Sequence, residues 1–325
     1  MEFYSPAPLP EPVFKLLTSD EYDKQGDYSV TQLLQAPRQS ILKERHLDKT
    51  SQNVMNRMFM VRGNMMHSAF SNVKTSGAII EERFMINVLN KQISMKADYV
   101  WPYMEQNNKK HFEILDAKDP SHYVVNPGPG QQWYNKDSWT TRVDKHEDWI
   151  KQINCYAYGM RMRGFNVDAG KLVLFLRDWS YVEEQRSHGG KPYPPHEIAI
   201  VPIPMWSDAA TLKFLESRVR IFEECRQLRD EELPECTRNE RWADLDRYAV
   251  VTGSGSDARA LPGGAKFETE GEAIIFNNER NSKKATKKKG RVTFRPAESK
   301  RCERGYCPIS GYCNQFKEKI SKDPF

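Results

Sequence analysis

The polar residues of this chain that could perform chemistry together form one ordered series. It consists of His67, Asp98, Asp116 with Lys118 two positions later, and the pair Gln152 and Tyr156. Two carboxylates and an imidazole can hold a hard divalent cation such as Mg²⁺ or Mn²⁺. A lysine beside one carboxylate can orient a water and stabilise negative charge while a phosphodiester is cut. The series therefore predicts a metal-dependent phosphodiesterase.

The spacing of apolar residues predicts the elements that must position this series. They are a helix over 51–73, strands over 78–89 and 92–101 with a turn at Asn90-Lys91, a strand over 111–118 and a helix over 144–163. Residues two apart on a strand share a face, so Asp116 and Lys118 point the same way. Gln152 and Tyr156 are one helical turn apart and also share a face. If Asp98 and Asp116 lie on neighbouring strands, both can reach one cation.

The remaining pattern predicts a mixed α/β architecture, in which helices cover the faces of a small sheet. The other predicted elements are a helix capped by Ser29 or Thr31 and running through Leu34, strands over 172–176 and 197–204, a helix over 207–230, and short strands over 271–276 and 291–295. A long loop over 124–139 carries Trp133, Tyr134 and Trp139. These rings either stack nucleic-acid bases or pack the loop onto the core.

Composition places few limits on the partner. The chain has 325 residues, 29% of them charged, and a net charge of +5, which fits nucleic-acid binding without requiring it. The basic block 283–291 is either a solvated loop or a loop that follows phosphates. No apolar run is long enough to predict a membrane span, and the N-terminus lacks the features of a secretory signal. We therefore expect a cytoplasmic protein that does not contact membranes.

Six cysteines are present, and three of them crowd near the C-terminus at Cys302, Cys307 and Cys313. In a chain expected in a reducing compartment, this crowding favours metal binding over disulfides. The alternative is three free thiols in a frayed tail. Cys155 and Cys225 lie on predicted helices and are expected to be ordinary buried thiols.

Four short segments resemble the motifs of RecB-like nucleases in the PD-(D/E)XK superfamily, in the same order. Gly63–His67 resembles the Gly-x-x-x-His helix, Met95–Asp98 the Gly-x-x-Asp motif with methionine in place of glycine, Glu113–Lys118 the strand that names the superfamily, and Gln152–Tyr156 the Gln-x-x-x-Tyr motif. The resemblance covers roughly 29–180. It implies a restriction-endonuclease-like core with a mixed central sheet flanked by helices.

The resemblance also implies roles for the series. His67, Asp98 and Asp116 are the metal ligands that it implies. Asp98, Asp116, Lys118, Gln152 and Tyr156 are the catalytic residues that it implies. Asp119 stands where the family often has threonine, and it adds negative charge near the metal.

The resemblance extends to the cysteines. Iron–sulfur relatives carry a cysteine before the core, where this chain has Ala36. Cys236 is therefore expected to join Cys302, Cys307 and Cys313 as the fourth ligand, as in a group of phage-type RecB-like nucleases. Four thiolates suit a [4Fe–4S] cluster or Zn²⁺, and the wide spacing favours the cluster. Either would tie the segment 237–301 back to the core.

These inferences predict a DNA nuclease in a bacterial or phage-infected cell. Its expected parts are an N-terminal segment 1–50, a nuclease core 51–232 and a metal-cluster subdomain 233–325. We expect an exonuclease on DNA ends or single strands, acting in recombination, repair or phage DNA processing. The alternatives are a non-catalytic DNA-binding scaffold of the same fold and an RNA-processing nuclease. The need for a helicase or recombinase partner is left open.

Overall fold

The computed structural model divides the chain into an N-terminal unit, Met1–Pro234, and a C-terminal unit, Glu235–Phe325. The residues that it describes are 2–19, 25–125, 146–187, 193–253, 258, 260–261, 264, 267–282 and 289–322. Among the described helices, none combines the length and the apolar composition that crossing a membrane requires.

Ten strands and seven α-helices are described in the N-terminal unit. The strands are β1 (Glu2–Tyr4), β2 (Tyr28–Ser29), β3 (Ser51–Asn53), β4 (Ile79–Ile80), β5 (Arg83–Val88), β6 (Lys91–Lys96), β7 (Tyr99–Gln106), β8 (Lys109–Lys118), β9 (Val167–Phe175) and β10 (Ile198–Pro202). The helices are α1 (Glu11–Thr18), α2 (Val30–Leu34), α3 (Pro37–His46), α4 (Met58–Ser71), α5 (Glu147–Met162), α6 (Tyr181–Ser187) and α7 (Asp208–Gln227). Short 3₁₀ turns cover Leu47–Lys49, Val54–Arg57 and His122–Val124.

The main sheet is mixed, as the sequence predicted. Its strand order is β10-β9-β8-β7-β4, with β8 and β9 parallel and the other pairs antiparallel. Parallel neighbours need a crossover connection, and α5 lies in the chain between β8 and β9. Ile114 on β8, Leu172 on β9 and Ile153 on α5 are fully buried. The end of β8 that carries Asp116 and Lys118 is therefore supported from within the core.

The predicted hairpin over 78–101 is divided between two sheets. β5 and β6 pair with each other and with β2 in a separate three-stranded sheet, whereas β4 and β7 belong to the main sheet. One arm of the hairpin passes from the main sheet to the three-stranded sheet at residues 81–82. The other arm passes back at residues 97–98, opposite the first. The turn lies at Leu89 and Asn90 rather than at Asn90-Lys91, since both have positive φ, 50° and 61°.

Two local predictions for the N-terminal unit had different outcomes. Ser29 caps α2 as predicted, because its hydroxyl accepts a hydrogen bond from the Gln32 N–H at 3.1 Å. The helix predicted over 51–73 is too long: it begins only at Met58. Ser51–Asn53 instead pairs in parallel with β1, a long-range contact that helical periodicity cannot reveal.

The C-terminal unit is built from short elements. They are β11 (Arg247–Val251), α8 (Glu270–Asn281), β12 (Arg291–Arg295), α9 (Lys300–Glu303), a 3₁₀ turn at Ser310–Tyr312 and α10 (Asn314–Lys322). β11 and β12 form an antiparallel pair, so the strand predicted over 291–295 is confirmed. The strand predicted over 271–276 is wrong, because those residues lie in α8. Thr269 and Glu272 form a capping box there, a helix-start signal that outweighs the β-branched residues after it.

Candidate metal and phosphodiester site

Three side chains of the N-terminal unit converge on one point. Nδ1 of His67 lies 3.1 Å from Oδ1 of Asp98 and 3.3 Å from Oε1 of Glu81. One ligand atom from each of the three side chains lies within 4.8 Å of the other two. His67 and Asp98 were predicted from the sequence to meet in this way, whereas Glu81 was not.

The divided hairpin brings the two carboxylates together. Glu81 follows β4 and Asp98 precedes β7, and these two strands pair in the main sheet. The Glu81 N–H also donates a hydrogen bond to the Asp98 carbonyl at 3.2 Å. Both carboxylates therefore stand where the hairpin leaves one sheet for the other, and α4 places His67 beside them.

Glu81 occupies a strained backbone conformation. Its φ is 52°, in the left-handed region that side-chain-bearing residues rarely adopt. Such a residue costs about 1–3 kcal/mol and is typically found at functional sites. The second carboxylate oxygen of Glu81 forms an ion pair with Lys96. The only sequence signal was the acidic pair Glu81-Glu82 interrupting an apolar strand, and nothing local distinguishes its two members.

Asp116 and Lys118 form a buried pair at the end of β8. Nζ of Lys118 lies 2.6 Å from Oδ2 of Asp116, whose side chain is only 1% exposed. Oδ2 of Asp98 accepts a hydrogen bond from the Ala117 N–H at 2.9 Å, which ties the pair to the His67 group. The structure thus brings the predicted residues His67, Asp98, Asp116 and Lys118 into one region.

Gln152 and Tyr156 on α5 extend the same region. Nζ of Lys118 donates to Oε1 of Gln152 at 3.3 Å, and Nε2 of Gln152 donates to the Tyr156 hydroxyl at 2.9 Å. Tyr156 is 4% exposed. In these contacts Gln152 holds the lysine and Tyr156 holds Gln152. Both are thus linked to Asp116 through Lys118.

Electrostatics in this region follow from its burial and its excess of carboxylates. The carboxylates of Asp98 and Glu81 raise the pKa of His67 to about 10. Burial raises the pKa of Asp116 above its usual value, although the Lys118 charge opposes this effect. Burial alone would lower the pKa of Lys118, but the charges of Asp116 and Asp98 outweigh it and raise that pKa. The site therefore attracts positive charge strongly.

The residues present fit a divalent cation. Nδ1 of His67, Oε1 of Glu81 and both carboxylate oxygens of Asp116 are buried, and apart from the ion pairs given above they have no hydrogen-bond partner among the described residues. Buried polar atoms without partners are costly and rare. One nitrogen and several carboxylate oxygens suit Mn²⁺ or Mg²⁺.

The candidate cysteine ligands all lie in the C-terminal unit. Burial, with smaller contributions from Glu240 and from the thiols of Cys313, Cys307 and Cys302, raises the pKa of Cys236 to about 12. The four thiols are thus near enough to affect one another's ionisation. Within the described residues, no three of their sulfur atoms lie within 4.8 Å of one another. The four-cysteine cluster stays a prediction.

The other two cysteines are buried in helices of the N-terminal unit. Cys155 is 0% and Cys225 is 3% exposed. Burial raises the pKa of Cys155 to about 12. Both match the prediction of ordinary buried thiols.

Several predicted nucleic-acid contacts lie outside the described residues. They are Trp133, Tyr134, Trp139 and the block 283–288. The neighbouring Asp119 is described, and its carbonyl accepts a hydrogen bond from Arg177 at 2.9 Å.

Comparisons with known proteins are sparse. No family model matches this chain, and no curated protein matches it. The crystal structure of SSO0001 has a TM-score of 0.38 to this chain and 16% sequence identity, over 64% of this chain and 83% of that chain.

Proposed function

We propose that this protein is a divalent-metal-dependent nuclease with a RecB-like, PD-(D/E)XK-type core. The observation that carries the proposal is the convergence of His67, Glu81 and Asp98 beside the buried pair of Asp116 and Lys118. Imidazole and carboxylate ligands next to a buried lysine provide the metal binding and charge stabilisation that phosphodiester hydrolysis requires, which binding alone would not need.

The side chains divide the work in this proposal. His67, Glu81 and Asp98 would hold the cation, and Asp116 would add an oxygen from the end of β8. When bound, the cation supplies Lewis-acid stabilisation of charge on the scissile phosphate and lowers the pKa of water. Lys118 orients the attacking water and stabilises developing negative charge.

The Lys118 ammonium is kept in place from two sides. It lies 2.6 Å from Asp116 and donates to Gln152 at 3.3 Å. Tyr156 in turn holds the amide of Gln152. Gln152 and Tyr156 are therefore positioning residues, which remove the freedom of a long flexible side chain before substrate arrives.

The proposed substrate is DNA, with preference for ends or single strands. The C-terminal unit has 19 lysine and arginine residues and 13 aspartate and glutamate residues, a net charge of +6. The N-terminal unit has 30 and 31, a net charge of −1. A basic unit on the same chain as a cation-binding site supports a polyanionic substrate, because phosphates gain affinity from lysine and arginine.

Cleavage of labelled DNA with Mn²⁺ or Mg²⁺ tests the proposal. Asp98→Asn, Asp116→Asn and Lys118→Ala are each expected to slow cleavage by about 10²- to 10³-fold, since single charge-stabilising groups commonly contribute that much. Binding of DNA should persist in all three. Asp168→Asn is the matched control, because Asp168 lies near the opposite end of the same strands, where it pairs with His111 at 2.5 Å. This variant should cleave DNA as fast as the wild type.

The outcome decides among the alternatives. Absence of cleavage on any DNA with either metal, with binding retained, would favour the scaffold. Faster cleavage of RNA than of DNA of the same sequence would favour an RNA-processing nuclease. Equal loss of activity in Asp168→Asn would show that the site has been misplaced.

We further propose that Cys236, Cys302, Cys307 and Cys313 bind a [4Fe–4S] cluster, or alternatively Zn²⁺. The support is the small core of the C-terminal unit. Its buried apolar side chains in the described residues, apart from Cys307 and Cys313, are Ala249, Val250, Val251, Ala273 and Ile309. A unit with so little apolar burial is usually held by metal or disulfides. Visible absorbance with bound iron would indicate the cluster, and a colourless protein with stoichiometric zinc would exclude it.

A further inference from the structure

Three rings lie in tilted contact just beyond the end of β8, and we call this group the aromatic stack. The ring centroids of Tyr123 and His122 are 4.0 Å apart at 35°, and those of His122 and Tyr193 are 4.8 Å apart at 43°. The inner ring is covered, since the His122 side chain is 13% exposed. The outer residue, Tyr123, is 73% exposed. The stack therefore presents an aromatic surface to solvent.

The inner part of the stack is held rigidly by Asp178. Its carboxylate accepts hydrogen bonds from the Ser121 hydroxyl and from the His122 N–H, both at 2.6 Å. It also lies 3.1 Å from Nδ1 of His122. Burial raises the pKa of Asp178, but these hydrogen bonds outweigh burial and keep that pKa below its usual value. The carboxylate is thus ionised and remains an acceptor at neutral pH.

The third ring is anchored as well. The Tyr193 hydroxyl accepts a hydrogen bond from the Ser180 N–H at 2.8 Å and donates to the Asp178 carbonyl at 3.4 Å. This fixed support means that a ligand stacking on Tyr123 does not have to order the rings beneath it. Preorganisation of this kind lowers the entropic cost of binding.

The stack stands at the same end of the main sheet as the candidate catalytic pair. His122 follows Lys118 by four residues, so their Cα atoms lie within about 14 Å. Stacked nucleotides advance about 3.4 Å each, so this span covers about four of them. Arg177 lies between the two, because its guanidinium donates to the Asp119 carbonyl and its N–H to the Pro120 carbonyl, at 2.9 Å and 3.1 Å. It supplies an exposed cation along the same path.

We propose that Tyr123, backed by His122 and Tyr193, is a stacking platform for a base of the single-stranded DNA, within a few nucleotides of the scissile phosphate. This inference rests on the proposed function and extends it to how the strand is positioned. An aromatic ring beside a cation is the usual means of holding single strands without reading sequence. Packing into the core does not explain Tyr123, which leaves most of its side chain in water.

The test measures binding without cleavage. Anisotropy of a fluorescent single-stranded oligonucleotide is recorded without added Mg²⁺ or Mn²⁺, and without a chelator, for the wild type, Tyr123→Ala and Tyr123→Phe. Base stacking on an aromatic residue typically contributes enough that Tyr123→Ala should weaken binding about 5- to 150-fold. Tyr123→Phe keeps the ring and should bind like the wild type. Tyr181→Ala, which removes another tyrosine that is 65% exposed, is the matched control and should also bind like the wild type.

Abasic oligonucleotides identify the contact itself. An abasic site scanned through the strand should weaken the wild type at one position by the same factor as Tyr123→Ala. At that position the abasic site should not weaken binding by Tyr123→Ala any further, because the contact between base and ring is already absent in that variant. Independent, multiplicative losses at every position would overturn the platform, as would equal weakening by Tyr123→Phe and Tyr123→Ala.

Failure of this inference differs from failure of the proposed function. If the protein cuts DNA but Tyr123→Ala binds and cuts like the wild type, the platform is wrong and the nuclease stands. If no DNA is cut but Tyr123→Ala loses binding with the abasic signature, the platform stands and the catalytic assignment is wrong.

Discussion

The N-terminal and C-terminal units differ in how their candidate metal ligands are held. In the N-terminal unit, strand pairing and a large apolar core bring the ligand atoms of His67, Glu81 and Asp98 within 4.8 Å of one another. In the C-terminal unit, the candidate ligand Cys236 is far in sequence from Cys302, Cys307 and Cys313, and few apolar residues are buried among those that the structure describes. In the N-terminal unit, folding by itself brings the candidate ligands together, whereas in the C-terminal unit we propose that metal binding stabilises the fold.

Removal of metal should give the largest contrast between the two units. Binding at a four-cysteine site contributes about 10–16 kcal/mol for structural zinc, which far exceeds what the small core supplies. Chelation, or Cys302→Ser, is therefore expected to unfold the C-terminal unit and leave the N-terminal unit folded. Hydrogen exchange resolved along the chain is the measurement.

Cys225→Ser is the matched control for the cysteine prediction. Cys225 is a buried thiol in α7 of the N-terminal unit. The Cys225→Ser substitution should leave the metal content of the protein unchanged. Protection of β11 and β12 that survives complete removal of metal would contradict the comparison.

The geometry of the candidate metal site predicts different effects of Glu81 and Glu82 on Mn²⁺ affinity. Glu81→Gln should weaken Mn²⁺ binding at least about 10- to 100-fold, since even outer residues of metal sites commonly contribute that much. Glu82→Gln should have little effect, because Glu82 pairs with Arg163 at 2.9 Å, and both side chains are well exposed. Calorimetric titration of Mn²⁺ measures both. Equal effects of the two substitutions would remove Glu81 from the site.

Close packing behind the site makes a third prediction. A Cβ at Gly159 on α5 would collide with Phe84 and Met95 of the three-stranded sheet. Gly159→Ala should therefore destabilise the protein by about 1–3 kcal/mol. Gly63→Ala should instead stabilise it by about 0.5–1 kcal/mol, because that helical glycine has nothing within 4 Å of its Cβ position. Denaturant unfolding that ranks the two variants in the opposite order would show that α5 packs elsewhere.

The smallest expected effect concerns pH and Asp178. A carboxylate with a lowered pKa stabilises the fold fully above its unfolded pKa, near 3.9, and loses that contribution as the pH falls through the folded value. Asp178→Asn should therefore cost less than about 1 kcal/mol at pH 7, because the exposed side chain is screened by water. The difference from wild type should vanish at acidic pH. A difference that grows below pH 4 would contradict the sign.

Much of this molecule could be predicted where the signal is local. Ser29 caps α2, β8 ends with Asp116 and Lys118 on one face, and Gln152 and Tyr156 lie one turn apart on α5. Each of these follows from the chemistry of a few neighbouring residues. The errors have the opposite character. The sequence pattern assigns β3 to a helix, because the strand that pairs with it, β1, lies about 50 residues earlier in the chain.

Local sequence patterns were enough to identify the available side chains and their order along the chain, because cap residues and apolar periodicity act over a few positions. The choice of Glu81 over Glu82 as the partner of His67 and Asp98 became visible only in the folded chain. That choice depends on the hairpin dividing between two sheets and on one residue adopting a φ of 52°. Both features result from strand pairing between distant segments, and the energy of such pairing cannot be inferred from a local sequence pattern.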